Sequence, residues 1–564
     1  MAKSEEISST PPETTNAIDV ADADAYHLAQ LGYKQELQRN FSQWSLISFG
    51  VTLTATWAAL GGALAGGIYA GGPAGVIYGF ILTLVGQCFV GATIAEFASS
   101  YPTTGGMYHW AAYLSPPRLA PFFSWLTGWN TIWAYITSVA AVCCTSGTQI
   151  IGLVALAKDD YEIERWHIFL ILELLNLVTL LMVVFGNKLI PTVNKVTMWW
   201  FLASFFVVSV TVLAMAPTHR SAAEVFTEFT NSTGWSSTGM AFISGIINPA
   251  FAIAVLDSTT HISEEVPRPE KNVPKAIGYT LLCACLTGWF FLMAIFFSYQ
   301  DLEGLLETNT GLPIAELFRQ ATGSSAGGFG LTFLLMTSNL CTVWNCQLTQ
   351  GRIYWAMARD SGVPFSDYFS VVHPGLHVPL RAHIFTAVVV ALLGILYMWA
   401  DTAFNAFIAA NLVFFNLCYL IPVGVNIFRG RRTLVPGWFH MKRYGMFVNI
   451  VAICWIIFLI VFLEIPYFMP VDAESMNYTC VIVGAGLVFE LAYFVWKRKS
   501  YHGPTLDEQL AEVVHGVEVP VHMHDQGMPQ NIAKSNDVSV SKSGIVGCQE
   551  GNSQGGSNVE QPNI

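Results

Sequence analysis

Asp257 and His261 are the two residues of this sequence whose types and spacing point most directly to proton chemistry. Being four residues apart, they would lie on one face of a helix, one turn from each other. A carboxylate and an imidazole so placed can exchange a proton, because an unperturbed histidine titrates near pH about 6.5. A second interpretation stays open, in which Asp257 binds freed backbone amides and His261 lies in a polar interface.

Asp257 ends the second of two interrupted apolar segments that occupy matching positions in the two halves of the chain. They are residues 52–62 (TLTATWAALGG) and 244–257 (SGIINPAFAIAVLD). Because Pro249 lacks an amide hydrogen and clashes with the carbonyl of Gly245, we predict that residues 251–255 are unwound. Threonine hydroxyls and Gly61–Gly62 loosen the first segment in the same way. Backbone amides freed at such breaks attract a carboxylate, and freed carbonyls attract a cation.

The composition places these segments in a membrane. The 564 residues are 53% hydrophobic and 11% charged, and their mean hydropathy of +0.49 excludes an ordinary soluble protein of this length. An apolar run of about 20 residues can cross a hydrocarbon core roughly 30 Å thick. We predict an all-α polytopic protein with twelve spans, near residues 44–69, 73–98, 121–152, 167–185, 194–215, 238–257, 276–298, 328–350, 381–400, 402–425, 445–466 and 478–496.

A helix that is interrupted inside a bilayer persists only where it lines a polar cavity. The broken spans one and six therefore predict a path for a solute. Aromatic residues near them favour an organic cation, which ring faces bind with roughly 0.5 to 2 kcal/mol per contact; packing between spans is the competing interpretation of each ring. The residues expected to contact substrate are Thr54, Thr56, Trp57, Trp133, Asn248, Phe251, Ile253, Asp257 and Trp344.

Loop charges predict the orientation of the chain. Most loop Lys and Arg residues fall in every second connection between spans, and positive residues are retained in cytosolic loops. Much of the net charge of −12 falls in the other connections and in the tails. Both termini are therefore expected in the cytosol, with disordered tails over residues 1–41 and 497–564. Two sequons place predicted glycosylation at Asn231 and Asn477, in outer loops.

Several other function classes find no support in the sequence. The eleven Cys residues form no metal-ligand spacing, and no phosphate-binding loop occurs, so the chain cannot itself hydrolyse ATP. No grouping of a nucleophile with a base stands out. We expect neither an enzyme nor a bound cofactor, metal or nucleic acid.

Three longer motifs resemble signatures of the amino acid-polyamine-organocation permeases. They are residues 95–110 (AEFASSYPTTGGMYHW), 257–277 (DSTTHISEEVPRPEKNVPKAI) and 352–364 (RIYWAMARDSGVP). Shorter segments are similar to landmarks of the fungal amino acid/choline transporter branch. They are residues 31–37 (LGYKQEL), 71–73 (GGP), 256–261 (LDSTTH) and 476–478 (MNY).

The resemblance implies a fold of two inverted five-helix repeats, over residues 42–215 and 236–425, followed by two extra helices over 445–496. It implies secondary active transport by alternating access, with Phe251 closing over the substrate. Lys195 matches a coupling lysine of some members, but it also fits an anchor at the inner face. Glu96 is expected to be a structural or gating acid.

The substrate stays open at this point. Proton-coupled uptake of choline or a related amine at the plasma membrane is the leading hypothesis. A permease for γ-aminobutyrate or another amino acid, and a transport-like nutrient sensor, are the alternatives.

Overall fold

Glycine, proline and threonine residues decide where the helices of this chain begin, end and break. The computed structural model describes residues 24–25, 28–158, 160–308, 310–398, 402–472 and 476–504. The regular structure of these residues is helical, which confirms the all-α prediction. Eleven of their helices are long and apolar enough to cross a membrane, and the shorter apolar segment Thr238–Ala252 lies where span six was predicted.

The helices of the first half are α1 (Gln43–Thr54), α2 (Thr56–Gly62), α3 (Leu64–Ser100), α4 (Met107–Leu114), α5 (Ala120–Ala157), α6 (Arg165–Phe185), α7 (Ile190–Met215) and α8 (Ala222–Thr227). Those of the second half are α9 (Thr238–Gly245), α10 (Ile247–Ala252), α11 (Pro269–Ser298), α12 (Leu302–Leu306), α13 (Pro313–Thr322), α14 (Ser325–Arg359), α15 (Ser366–Phe369), α16 (Leu380–Tyr397), α17 (Thr402–Phe428), α18 (Gly445–Phe462) and α19 (Thr479–Lys497). Short 3-10 helices cover Ser258–Glu265 and Lys442–Tyr444.

Helix α3 contains the boundary between spans one and two. Gly72 interrupts it with φ 61° and ψ −158°, a conformation open mainly to glycine. Pro73 follows, in a position where its missing amide hydrogen costs nothing because a helix starts there. The predicted limits of these spans, 44–69 and 73–98, agree with this geometry.

Both predicted breaks are present, and the second lies later than expected. Span one is interrupted at Ala55, which has φ 39° and ψ 43° between α1 and α2. In span six, α10 continues to Ala252, and residues 253–257 are unwound before the 3-10 helix. Pro249 does not unwind its own turn, because the next amide, that of Ala250, still donates to the Ile246 carbonyl at 2.9 Å. The prediction was therefore wrong for Phe251 and Ala252, which remain helical.

The broken span one lies at the centre of the helix assembly. Its most apolar window is 94% buried, whereas that of α19 is only 28% buried and so presents most of its surface to lipid. Helix α5 packs against α14 and α17, and α1 packs against α7, α11 and α14. These contacts surround the two breaks. The inverted-repeat relationship between residues 42–215 and 236–425 stays a prediction.

The two described chain ends are packed on the protein, contrary to expectation. Leu31, Leu37 and Phe41 are buried, and the Phe41 amide donates to the Glu265 carbonyl at 3.1 Å. Tyr501 is also buried, 4.9 Å from the Trp125 ring. The prediction of disordered tails is wrong for residues 24–25, 28–41 and 497–504. Residues 1–23, 26–27 and 505–564, the remainder of that prediction, lie outside the described residues.

Candidate functional site

A small cavity lies where the broken span one meets α5, α14 and the unwound part of span six. Its volume is about 20 Å³, enough for about one water molecule. The residues that line it are Leu53, Thr54, Ala59, Ser138, Val142, Thr145, Phe251, Val255, Asn339, Thr342 and Cys346. All are apolar, hydroxyl, amide or thiol side chains. A ligand bound in this central cavity would meet dipoles and one ring, and the cavity would have to widen to hold it.

The break in span one is held by hydroxyl groups and by α14. Thr54 donates to the carbonyls of Gly50 and Val51, both at 3.2 Å. From α14, Thr342 donates to the Thr52 carbonyl at 3.1 Å. The Thr56 hydroxyl is buried without a partner. Thr54 thus lies at the cavity as predicted, while Thr56 does not line it.

Helices α5 and α14 contribute a part of the cavity that was not predicted from the sequence. Ser138 and Thr145 come from α5, and Asn339, Thr342 and Cys346 come from α14. The three α14 residues recur at intervals of three and four, the spacing of one helix face. That polar stripe on an apolar helix was the signal that could have identified them.

Asp257 and His261 are in direct contact, as their spacing predicted. Nε2 of His261 lies 2.9 Å from Oδ2 of Asp257, and both residues are fully buried. The other carboxylate oxygen accepts hydrogen bonds from Tyr419 at 2.8 Å and from Tyr135 at 3.2 Å. Asp257 follows Val255, a lining residue of the cavity, by two positions in the unwound segment.

The second nitrogen of His261 determines how many protons this pair holds. Nδ1 lies 2.8 Å from the backbone carbonyl oxygen of Thr104, which can only accept a hydrogen bond. Nδ1 must therefore carry a hydrogen. The 2.9 Å contact on the other side needs one more hydrogen, either on Nε2 or on the carboxyl group of Asp257. One proton is shared between the two residues.

Three of the four predicted substrate-binding rings lie away from the central cavity. Trp57 is enclosed by Phe291 and Phe201, at 5.4 and 5.7 Å between ring centroids. Trp133 packs 5.8 Å from Phe489 of α19. Trp344 donates to Asn194 of α7 at 3.0 Å. These positions contradict the prediction that the three Trp rings contact substrate, because each ring fills a gap between helices. Among the four predicted rings, only Phe251 lines the central cavity.

A larger cavity of about 360 Å³ lies on the side of α2 and α10 away from the Asp257 pair; we call it the vestibule. Asn248 lines it, donates to the Leu60 carbonyl at 3.2 Å, and leaves its Oδ1 atom buried without a partner. Thr145 lines both cavities. Ile253 is fully buried and lines neither of them.

Comparison with known proteins identifies the family of this chain. The family model described as "Amino acid permease" matches residues 41–486. The chain belongs to the amino acid permease family. Its breaks and its buried Asp257–His261 pair all fall within the matched residues, so the site is part of the permease domain itself.

Individual relatives carry different substrates. The choline transporter of Saccharomyces cerevisiae is 34% identical over 83% of this chain and 83% of its own length. Amino-acid permease BAT1 of Arabidopsis thaliana is 28% identical over 86% of this chain and 97% of its own length. The 7-keto 8-aminopelargonic acid transporter of S. cerevisiae is 26% identical over 79% of this chain and 90% of its own length. The permease is thus a transporter in a group that handles both choline and amino acids.

The permease is closed on the side that carries its described chain ends, which we call the terminal face. Asp360, just beyond α14, accepts hydrogen bonds from Tyr33 at 3.0 Å and Tyr108 at 2.8 Å. His109 also contacts Asp360, at 3.1 Å. These groups join the N-terminal segment, α4 and α14.

An ion pair extends this closure to the end of span six. Arg359 binds Glu264 at 3.0 and 3.2 Å and lies 4.1 Å over the Tyr33 ring. Burial would raise the pKa of Glu264, but the Arg359 guanidinium outweighs it and holds that pKa below its usual value. Glu264 is therefore ionised at neutral pH. We call Tyr33, Tyr108, His109, Arg359, Asp360 and Glu264 the terminal cluster.

Two predicted coupling or gating residues lie on this face, outside the terminal cluster. Glu96 is fully buried and accepts two hydrogen bonds from Arg431, at 2.6 and 2.8 Å. His440 lies 2.9 Å from the same carboxylate. This geometry favours the structural role proposed for Glu96. Lys195 is half-buried near the start of α7 and lines neither cavity.

The two sequons differ in accessibility. Asn231 is exposed, although its side chain bonds within its own loop, to Trp235 at 2.7 Å. The amide nitrogen of Asn477 donates to the Leu463 and Ile465 carbonyls, at 2.8 and 3.0 Å, and the residue lines the vestibule. Glycosylation would modify the side-chain nitrogen of either residue, and the greater exposure of Asn231 makes it the more accessible of the two. Both stay predicted sites.

Proposed function

We propose that this permease imports choline or a related small amine and that protons drive the uptake. The observation that carries the coupling is the buried 2.9 Å contact between Asp257 and His261, which requires one shared proton and follows the segment that lines the central cavity. The substrate class is supported by the lining, which combines Phe251 with dipolar groups, and by the resemblance to a choline transporter over 83% of the chain.

The unwound segment would couple the proton to the substrate. Loss of the shared proton leaves a carboxylate oxygen facing a nitrogen lone pair at 2.9 Å, an arrangement that a buried site does not sustain. Residues 253–261 must then rearrange. Because Phe251 and Val255 of the same stretch line the cavity, proton release and substrate release become linked events.

The proposed direction of transport follows from charge. The terminal face carries Arg352, Arg359 and Arg431 in ion pairs, and positive residues are retained on the cytosolic side of membranes. We therefore infer that the terminal face is cytosolic. In that orientation the vestibule opens toward the outside while the terminal cluster closes the inside, the arrangement expected of a plasma-membrane importer before it loads substrate. We infer no covalent chemistry.

An amino-acid substrate, including γ-aminobutyrate, is the alternative that the break at Ala55 favours. There a substrate carboxylate would meet backbone dipoles beside Thr54. The test is uptake of labelled choline and, separately, γ-aminobutyrate into transporter-deficient yeast, at acidic and neutral external pH, with and without an uncoupler. Choline accumulation that the uncoupler abolishes is the expected result.

Other outcomes would redirect the proposal. Uptake of γ-aminobutyrate alone would reject choline and support the amino-acid alternative. Choline uptake that the uncoupler leaves unchanged would exclude proton coupling. Neither substrate entering cells that display the protein at their surface would reject the importer proposal and favour a nutrient sensor.

A further inference from the structure

The vestibule is lined by aromatic rings that the central site does not use. They are Tyr69, Tyr397, Phe462, Tyr467, Phe468 and Tyr478. Some of them contact each other: the Phe468 ring lies 4.7 Å from Tyr467 and 5.6 Å from Tyr69, the latter at 77°. Helices α3, α16 and α18 and the segment beyond α18 supply these rings, so the helix assembly brings together rings that are distant in sequence.

Polar atoms without partners accompany these rings. Oδ1 of Asn248 is buried and unpartnered on a residue that is 1% exposed and lines the vestibule. The Tyr467 hydroxyl is likewise buried without a partner. Leaving such groups unpaired costs about 1 to 3 kcal/mol each. Water molecules held in the vestibule beside a bound ligand would satisfy them.

An acid lies beside the same wall. Glu464 is located between two lining residues, Leu463 and Ile465, and its Oε2 atom is buried without a partner. Asn477 bonds to the carbonyls on both sides of it, which holds this turn against the vestibule. No Lys or Arg lines the vestibule among the described residues. The described lining therefore holds no charge that would repel a cation.

We propose that the vestibule is a second binding site, selective for organic cations of the quaternary ammonium class. Such ions lack hydrogen-bond donors and are bound by ring faces. The vestibule, at about 360 Å³, accommodates such an ion in this conformation, whereas the central cavity is contracted to about 20 Å³ and would have to widen to take one. Only the physiological role of this second site rests on the proposed amine transport. Thr145 borders both cavities and so links the two sites.

The test is equilibrium binding of labelled tetraethylammonium to the purified full-length permease in lipid nanodiscs. We expect saturable binding with one site per chain. Phe468→Ala should weaken it about tenfold, since it removes a ring face. Glu464→Gln, which keeps the shape of the side chain, should weaken it severalfold. Phe447→Ala removes an exposed ring of α18 and should leave binding unchanged.

Charge and location are tested in the same assay. The neutral carbon analogue of choline, 3,3-dimethylbutanol, should compete far less well than choline. Equal competition would overturn the assignment to cations. The vestibule site would be overturned if folded wild-type protein showed no saturable binding. It would also be overturned if Phe251→Ala lost binding while Phe468→Ala and Glu464→Gln kept it.

Parallel measurement of choline uptake separates this proposal from the transport function. Tetraethylammonium binding with the expected variant pattern, but without choline uptake, would reject the proposed substrate and retain the site. Choline uptake without such binding would reject the vestibule site and retain the function.

Discussion

The proton between Asp257 and His261 is defined by what surrounds each atom of the pair. Nδ1 of His261 donates to a backbone carbonyl, and Oδ1 of Asp257 accepts hydrogen bonds from two tyrosine hydroxyls. The remaining contact joins Nε2 of His261 to Oδ2 of Asp257 at 2.9 Å. A proton can be lost from this contact while the other three hydrogen bonds of the pair stay intact. The proposed proton transfer is therefore assigned to that contact.

We predict that Asp257→Asn uncouples transport. Asparagine still accepts from Tyr135 and Tyr419, but it cannot ionise, so the gradient can no longer act on the pair. Concentrative choline uptake should fall at least about tenfold, while exchange of labelled for unlabelled choline in proteoliposomes falls less than about threefold. Tyr419→Phe, which removes one hydroxyl and keeps the pair, is the control. Retained uncoupler-sensitive accumulation in Asp257→Asn would refute this coupling role.

Phe251 and Thr54 both line the central cavity, yet their substitutions should differ. Phe251→Ala removes the ring face and should raise the KM for choline up to about tenfold. Thr54→Ala should have a smaller effect, because its hydroxyl is already bonded to two carbonyls of its own helix. Initial uptake rates over a range of choline concentrations decide the order, and a larger effect of Thr54→Ala would exclude recognition by the ring.

Trp57 provides a contrast between packing and binding. Its ring is fully buried among phenylalanines of α7 and α11. Trp57→Ala should therefore destabilise the fold by about 3 to 5 kcal/mol, the range for large buried rings. Thermal unfolding in detergent should show a lower Tm, while the protein that remains folded keeps its KM for choline. A raised KM at unchanged Tm would return Trp57 to the substrate site.

At the scale of the helix, the break in span one depends on one strained residue. Ala55 has φ 39°, and an L-residue in the left-handed region costs roughly 1 to 2 kcal/mol. The hydrogen bonds from Thr54 and from α14 to nearby carbonyls maintain the break in spite of that cost. The strain therefore lies beside the cavity, where a conformational change would release it.

Glycine at this position should relieve the strain. We predict that Ala55→Gly raises stability by about 0.5 kcal/mol, the strain relieved less the added entropy of the unfolded chain. Ala58→Gly, within helix α2, is the matched control and should lower stability by about 1 kcal/mol. Thermal unfolding of the three proteins makes the comparison. A lower Tm in both variants would show that Ala55 is not strained.

At the scale of the whole molecule, the terminal cluster joins three parts of the chain, which would separate for substrate to leave in the proposed import cycle. It connects Tyr33 of the N-terminal segment, His109 of α4 and Asp360 beyond α14. Burial would raise the pKa of Asp360, but its hydrogen bond with His109 and the charge of Arg359 hold that pKa below its usual value. Asp360 is therefore ionised throughout the physiological range.

The sign of the pH dependence follows from this shift. A depressed carboxyl pKa contributes stability that is fully present above the unfolded value, about 3.9, and is lost as pH falls through the lower folded value. We predict that Asp360→Asn lowers Tm by a constant amount between about pH 8 and 5. The difference from wild type should shrink only below about pH 4. A difference that already shrinks near pH 6 would point to a histidine instead.

Opening of the terminal face should accompany that loss. In Asp360→Asn, a membrane-impermeant thiol reagent applied from the terminal side should modify Cys346, which lines the central cavity, faster than in wild type. Mass spectrometry identifies the modified residue, and labelling of the denatured protein gives the reagent's general reactivity. Unchanged modification of Cys346 would show that the cluster does not close the path.

The sequence alone determined the all-α membrane class, the family, both interrupted spans and the Asp257–His261 pair. Each of these is encoded locally: apolar runs have the length of a bilayer, the breaks lie within the two segments that contain Pro249 and the Thr–Gly residues, and a spacing of four residues brings two side chains together within one segment. Such features need no knowledge of which helix lies beside which.

The tertiary structure decided what lines the cavities. Trp57, Trp133 and Trp344 have the chemistry of a cation site, yet packing directs them between helices, while Asn339, Thr342 and Phe251 face the central cavity. The direction of a side chain depends on how its helix is rotated against its neighbours, and dozens of distant contacts set that rotation jointly. The terminal cluster and the vestibule arise in the same way, from residues that are far apart in the chain and meet only when the helices assemble.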